Sequence, residues 1–125
     1  MLATELVGSG RFVGLDNPDA ANVRAYAIEQ DHRLTVVLDD VQDPAANGPT
    51  TVTLNLGARL HFGRLTTLAT SSPSGLSATT DITLGGRQVG PHGAFLPPRS
   101  TPVFVHGQTA TVTVQAGSAA IIQFD

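Results

Sequence analysis

Residues able to carry acid–base or covalent chemistry are few in this chain. It holds two Glu, eight Asp and four His among 125 residues, and no Cys. Hydrolysis of a glycoside by a carboxylate pair needs two acids about 5–10 Å apart across a sugar cleft. The only glutamates, Glu5 and Glu29, fall near the ends of predicted strands at solvent-facing positions. They read as surface charges. Asp39, Asp40, Asp43 and Asn47 form the densest polar cluster, in a loop that also contains Pro44 and Gly48. Oxygen-rich loops can bind Ca²⁺, but this spacing fits no EF-hand and lacks a glutamate to close the shell. A solvated turn is the better account, with a Ca²⁺ site as its competitor.

His32, His61, His92 and His106 sit on different predicted elements. A zinc site generally shows at least one close ligand pair on one element, so these read as turn and surface residues. Without cysteine there is neither a disulfide framework nor a thiolate metal site. No G-x-S-x-G nucleophile motif occurs, and no phosphate-cradling glycine loop precedes a helix. The expectation is therefore no catalytic residue, no cofactor and no metal, hence no enzyme by itself.

The basic residues are seven Arg and no Lys, against a net charge of −3. A nucleic-acid binder concentrates its cations in a patch or stripe. Here they are scattered singly, which excludes nucleic acid. The lack of Lys fits codon bias in a GC-rich bacterial genome. Arg59, Arg64, Arg87 and Arg99 flank predicted loops. Guanidinium pairs well with carboxylate, so these four are the candidate contacts to an acidic sugar, provided that they converge on one face. Sugar platforms use exposed aromatic rings. This chain has no Trp, one Tyr and five Phe, and Tyr26 with Phe12, Phe62, Phe95, Phe104 and Phe124 is expected to face the core.

Positioning any of these residues is the task of strands. No window carries apolar residues at helical spacing over three turns, while 13 Gly and 8 Pro punctuate the chain. Alternation is clean at Leu34, Val36 and Leu38, at Val52, Leu54 and Leu56, and at Ala110, Val112, Val114 and Ala116. Period-two patterning of this kind implies antiparallel sheets with one buried and one wet face. The reading places strands near 3–7, 10–15, 23–30, 33–39, 50–57, 64–70, 80–84, 102–106, 109–116 and 118–124. Stretches 39–50 and 86–101 are read as crossovers between sheets, and Gly85-Gly86 as a tight hairpin. The fold class is all-β, an antiparallel β-sandwich of about 8–10 short strands, built as one domain over 1–125.

The start, Met1 to Gly10, has no basic n-region, and no window approaches the roughly 20 apolar residues of a membrane span. No signal peptide or transmembrane segment is expected. Location stays open: cytoplasmic for a full-length product, extracellular for a domain excised from a secreted enzyme.

Asn22-Val-Arg-Ala-Tyr-Ala-Ile28 followed by Arg33-Leu-Thr-Val-Val-Leu38 resembles the start of the C-terminal β-domain of glycoside hydrolase family 79. That family contains β-glucuronidases and heparanase-like enzymes. Leu76-Ser-Ala-Thr-Thr-Asp-Ile-Thr-Leu-Gly-Gly-Arg-Gln-Val-Gly90, with Gly93, Phe95 and Pro97 after it, is similar to a later stretch of that domain. Thr111-Val-Thr-Val and Ser118-Ala-Ala-Ile-Ile122 resemble its last two strands. The resemblance covers about 10–125, and Asp39 to Pro44 departs from it where a shorter turn is expected. It implies a β-sandwich beside a (β/α)8 barrel, with both catalytic glutamates in the barrel. A barrel takes roughly 200–250 residues, which are not in this sequence. The function implied is a non-catalytic ancillary domain that stabilises or docks to such a barrel or to another partner. The alternative is a binding module for acidic, uronate-containing polysaccharide. Self-association through an open sheet edge, giving a homodimer, is the further partner expectation.

Overall fold

The computed structural model describes residues 10–14, 22–57, 60–72 and 74–125. Nine strands make up the fold: β1 (Arg11–Val13), β2 (Val23–Gln30), β3 (Arg33–Asp40), β4 (Thr50–Asn55), β5 (Phe62–Thr70), β6 (Ile82–Leu84), β7 (Thr101–His106), β8 (Thr109–Val114) and β9 (Ser118–Phe124). No α-helix occurs among the described residues, only 3₁₀ turns at Gly75–Ser77 and Pro91–Gly93. β2 and β9 coincide with their predicted spans, and the other described strands differ at their ends by a few residues. The strand expected near 3–7 lies outside the described residues.

All pairings are antiparallel, in the order β1-β2-β3-β9-β5-β7-β8-β4, with β6 also on β5. This continuous sheet folds over at β7. Thr101 to Phe104 pair with β5, whereas Val105 and His106 pair with Ala110 and Thr109 of β8. Strand β7 thus carries the chain round a corner. The segment 86–101, expected to be a crossover, instead returns to the same half of the sandwich, and β7 makes the crossing. The 41–49 link from β3 to β4 does pass between the halves, as expected.

Two tight turns fix registers. Asp31 and His32 both take positive φ (46° and 68°) between β2 and β3, the backbone that a two-residue hairpin with right-twisted strands requires. Gly85 and Gly86 do the same (55° and 71°), closed by N–H···O bonds in both directions between Leu84 and Arg87 at 2.9 and 3.0 Å. At Pro91–Gly93 the positive φ belongs to His92 and Gly93, while Gly90 before them is extended.

The core lies between the folded halves. Ala27, Val36, Leu38, Ala120, Ile122 and Phe124 face Leu54, Ala110, Val112 and Val114 across it, with Val103 of the corner strand beside them. Leu38, Ile122 and Phe124 are wholly buried. Phe124 sits over Gly63, its register partner on β5. A Cβ on Gly63 would meet the Phe124 ring at 2.7 and 2.8 Å, so the glycine makes room for the largest core side chain.

Gly63→Ala is therefore an overpacking change. It should lower unfolding free energy by about 1–3 kcal/mol, read as a reduced urea midpoint at unchanged m-value.

Candidate functional site

The residues expected to do chemistry are engaged in structure. Asp40 is wholly buried at the end of β3. Its carboxylate accepts the Gln42 backbone N–H at 3.0 Å, the Thr50 hydroxyl at 3.0 Å and the Gln42 Nε2 amide at 3.3 Å. Asp43 accepts the Ala45 N–H at 2.9 Å, and its carbonyl accepts the Asn47 amide at 3.0 Å. The polar cluster is thus a self-bonded turn that fastens the β3–β4 link. No group of three or more His, Asp or Glu side chains suited to a metal forms among the described residues. Glu29 forms an exposed ion pair with Arg11 at 3.0 Å, and Glu5 lies outside the described residues. His32, His61, His92 and His106 are all exposed.

The arginines do not converge as one group. Arg59 lies outside the described residues. Arg87 and Arg99 meet at the Gly85-Gly86 hairpin, where the Arg99 N–H donates to the Gly85 carbonyl at 3.2 Å. Arg87 Nε is buried with no hydrogen-bond partner among the described residues. Arg64 stands on the outward face of β5, its guanidinium carbon 5.7 Å from the centre of the Phe62 ring.

The aromatic expectation needs correcting. Phe124 is the only phenylalanine that is fully buried; Phe12, Phe104 and Tyr26 are 73%, 65% and 48% exposed. Tyr26 is not an inner-face anchor. On β2 the small residues Ala25 and Ala27 turn inward, because Leu38 and Val36 opposite them already supply the core volume.

Two outward surfaces result. Across β2, β3, β9 and β5 the register aligns Tyr26, Val37, Ile121 and Thr66 in one row. Phe12, Ile28 and the buried Thr35 flank it on one side, and Ala119 and Leu68 on the other, while Val37 and Ile121 within the row are half-buried. No charge occurs in the central row; Arg24 with Asp39, and Arg64, sit at its margins. The second surface is a groove of about 520 Å³ where β7 bends away from β5 towards β8. Pro102, Phe104, His106, Thr109, Thr111 and Thr113 line it, with the buried Val103 and Val112. Phe104 meets Phe62 edge-on, with ring centres 6.4 Å apart at 74°.

Residues 25–121 match the family model of the glycosyl hydrolase family 79 C-terminal beta domain. The chain belongs to this family. No curated protein matches it significantly. Among solved structures, this family-79 domain is similar to a 4-O-α-L-rhamnosyl-β-D-glucuronidase from Fusarium oxysporum 12S, at 21% identity and a TM-score of 0.76, over 97% of this chain and 28% of the enzyme's. A GH30 endoxylanase from Clostridium papyrosolvens C71 follows at 11% and 0.58, over 91% of this chain and 23% of the other. A family 44 endoglucanase from Clostridium thermocellum stands at 21% and 0.60, over 91% and 19%. This chain thus spans 19–28% of those proteins, and the likeness is one of fold. The resemblance in the sequence therefore identified the family. It did not point to the Tyr26 row, whose signal was present only as parity with Arg24 and Ile28 opposite the two alanines.

The self-bonded turn makes two outcomes testable together. Calcium should leave the melting temperature unchanged. Asp40→Ala, which strands the Thr50 hydroxyl and Gln42 amides, should cost about 1–3 kcal/mol in a denaturant titration.

Proposed function

We propose that this family-79 C-terminal domain is a non-catalytic ancillary module that docks its Tyr26–Val37–Ile121 face against a (β/α)8 catalytic domain of the glycoside hydrolase. The observation that carries this reading is an outward sheet face whose central row carries no charge, with Tyr26 exposed and Val37, Ile121 and Thr66 half-buried beside it. Outward faces of antiparallel sheets are ordinarily polar, and contiguous exposed apolar surface marks an interaction site. The helical exterior of a barrel offers flat surface of the required kind, and family membership supplies the partner's class. The catalytic acids would come from that partner, since neither described nor expected carboxylates here form a pair.

Co-purification with a co-expressed family-79 (β/α)8 domain tests the reading. The wild-type chain should be retained. Tyr26→Asp or Ile121→Asp, each placing a charge in the row, should weaken association at least tenfold. Thr53→Asp, on the opposite outer face, should not. Equal retention of all three variants would remove this face as the docking surface.

A second reading concerns β4. Among the described residues this edge strand pairs only with β8. Its six residues, Thr50–Asn55, contain no charge and no proline, the devices that ordinarily protect an edge. β1, at the other end, is three residues long and carries the ion-paired Arg11. Pairing of β4 with its copy about a two-fold through Thr53 would set Val52 opposite Leu54 and keep both on the core side. Sedimentation should then show a concentration-dependent dimer that Thr53→Pro abolishes; a strict monomer at high concentration would sink it.

A further inference from the structure

The groove at the β7 corner combines three features that belong to no core and to no docking row. Phe104 presents an exposed ring at its rim. The side chains of Thr109, Thr111 and Thr113 line one bank, and no other described residue engages the hydroxyls of Thr111 and Thr113. Arg64 is the cross-strand partner of Pro102, another lining residue, and makes no ion pair among the described residues. The ion pairs described are Arg11–Glu29 and Arg33–Asp125.

We propose that this groove binds a carboxylated pyranose, with Arg64 on the carboxylate and Phe104 on the ring. Aromatic faces match the C–H face of a sugar ring, being apolar and amphipathic in the same sense. Hydroxyl-bearing threonines answer the equatorial hydroxyls, each as donor or acceptor. The guanidinium carbon lies 5.7 Å from the centre of the Phe62 ring, and a guanidinium without an ion-pair partner among the described residues can pair in bidentate fashion with a planar carboxylate. Arg64 and Phe104 are diagonal neighbours across β5 and β7, about 7–8 Å apart at the backbone. A single ring can bridge that separation. The groove's volume lies within the usual range of small-molecule sites.

Of the described sequence-based candidates, Arg64 stands beside an aromatic pair and a concavity, whereas Arg87 and the backbone of Arg99 belong to the Gly85-Gly86 turn; Arg59 lies outside the described residues. The site lies beyond the β5 end of the docking row, with Arg64 at that row's margin two residues from Thr66. Tyr26 on β2 and Phe104 on β7 are separated by four strand spacings, about 19 Å.

Calorimetric or NMR titration of the intact chain with glucuronate, its methyl glycoside and glucose tests the proposal. Glucuronate should bind at least tenfold tighter than glucose, and the preference should fall as salt is raised. Arg64→Gln should abolish the preference, and Phe104→Ala should weaken every ligand at least fivefold. Both positions are solvent-exposed, and circular dichroism checks that each variant folds. Arg33→Gln should change nothing, nor should Tyr26→Asp, which separates this result from the fate of the docking reading. Stronger binding of the methyl glycoside than of free glucuronate identifies the ligand as a chain-terminal residue; the reverse identifies the free sugar. Equal affinity for glucose and glucuronate, no binding up to the solubility of the sugars, or an unchanged preference in Arg64→Gln would overturn it.

Discussion

Between Phe104 and Val105 strand β7 leaves β5 and joins β8, and among the described residues this strand carries the only ladder pairing between the two halves of the sandwich, which the Thr50–Asp40 side-chain bond also ties together. The link to β8 is only two residue pairs long, so most of the cohesion across the core comes from side chains. Leu38, Ile122 and Phe124 from one half close on Leu54, Val112 and Val114 from the other, and burial of that apolar surface is what holds the fold shut. The same bend opens the groove beside Phe104, because β8 has no β7 partner beyond Ala110. Beyond β8 the sheet ends at β4, whose outer edge has no partner among the described residues. The corner, the groove and the free edge are thus one constraint seen from three sides.

Strand positions were legible in the sequence because alternation survives wherever one face is buried. Val23–Gln30 and Ser118–Phe124 carry that signal over their whole length. Face assignment was harder. Alternation gives parity but not sign, and in Arg24-Ala-Tyr-Ala-Ile28 side-chain size suggested that Tyr26 faced inward. The inner layer opposite β2 is already filled by Val36 and Leu38, so alanines suffice there and the larger residues turn out. The phenylalanines follow the same logic, with Phe124 taking the space that Gly63 vacates. The β7 corner left no local signature, since its strand reads as one unbroken run from Thr101 to His106. The convergence of Arg64 with Phe62 and Phe104 was likewise invisible, being set by the register of β5 on β7.

Membership of the family-79 C-terminal domains accounts for the absence of a carboxylate pair among the described residues. Asp40 and Asp43, the acids most suggestive of a site, hold the β3–β4 link in place through their own hydrogen bonds. What the domain offers outwardly is surface: an uncharged row across four strands, and an amphipathic groove with Arg64 on the strand beside it. The proposed division of labour gives the row to a catalytic partner and the groove to a sugar.

The chain contains one tyrosine and no tryptophan, and that tyrosine stands at the β2 end of the row. Fluorotyrosine labelling therefore yields a single fluorine resonance, at Tyr26. On saturation with an unlabelled family-79 catalytic domain, the account predicts that this resonance shifts and loses its sensitivity to solvent. A resonance that keeps its position and its solvent sensitivity at saturation would contradict the claim that this face is the one that docks.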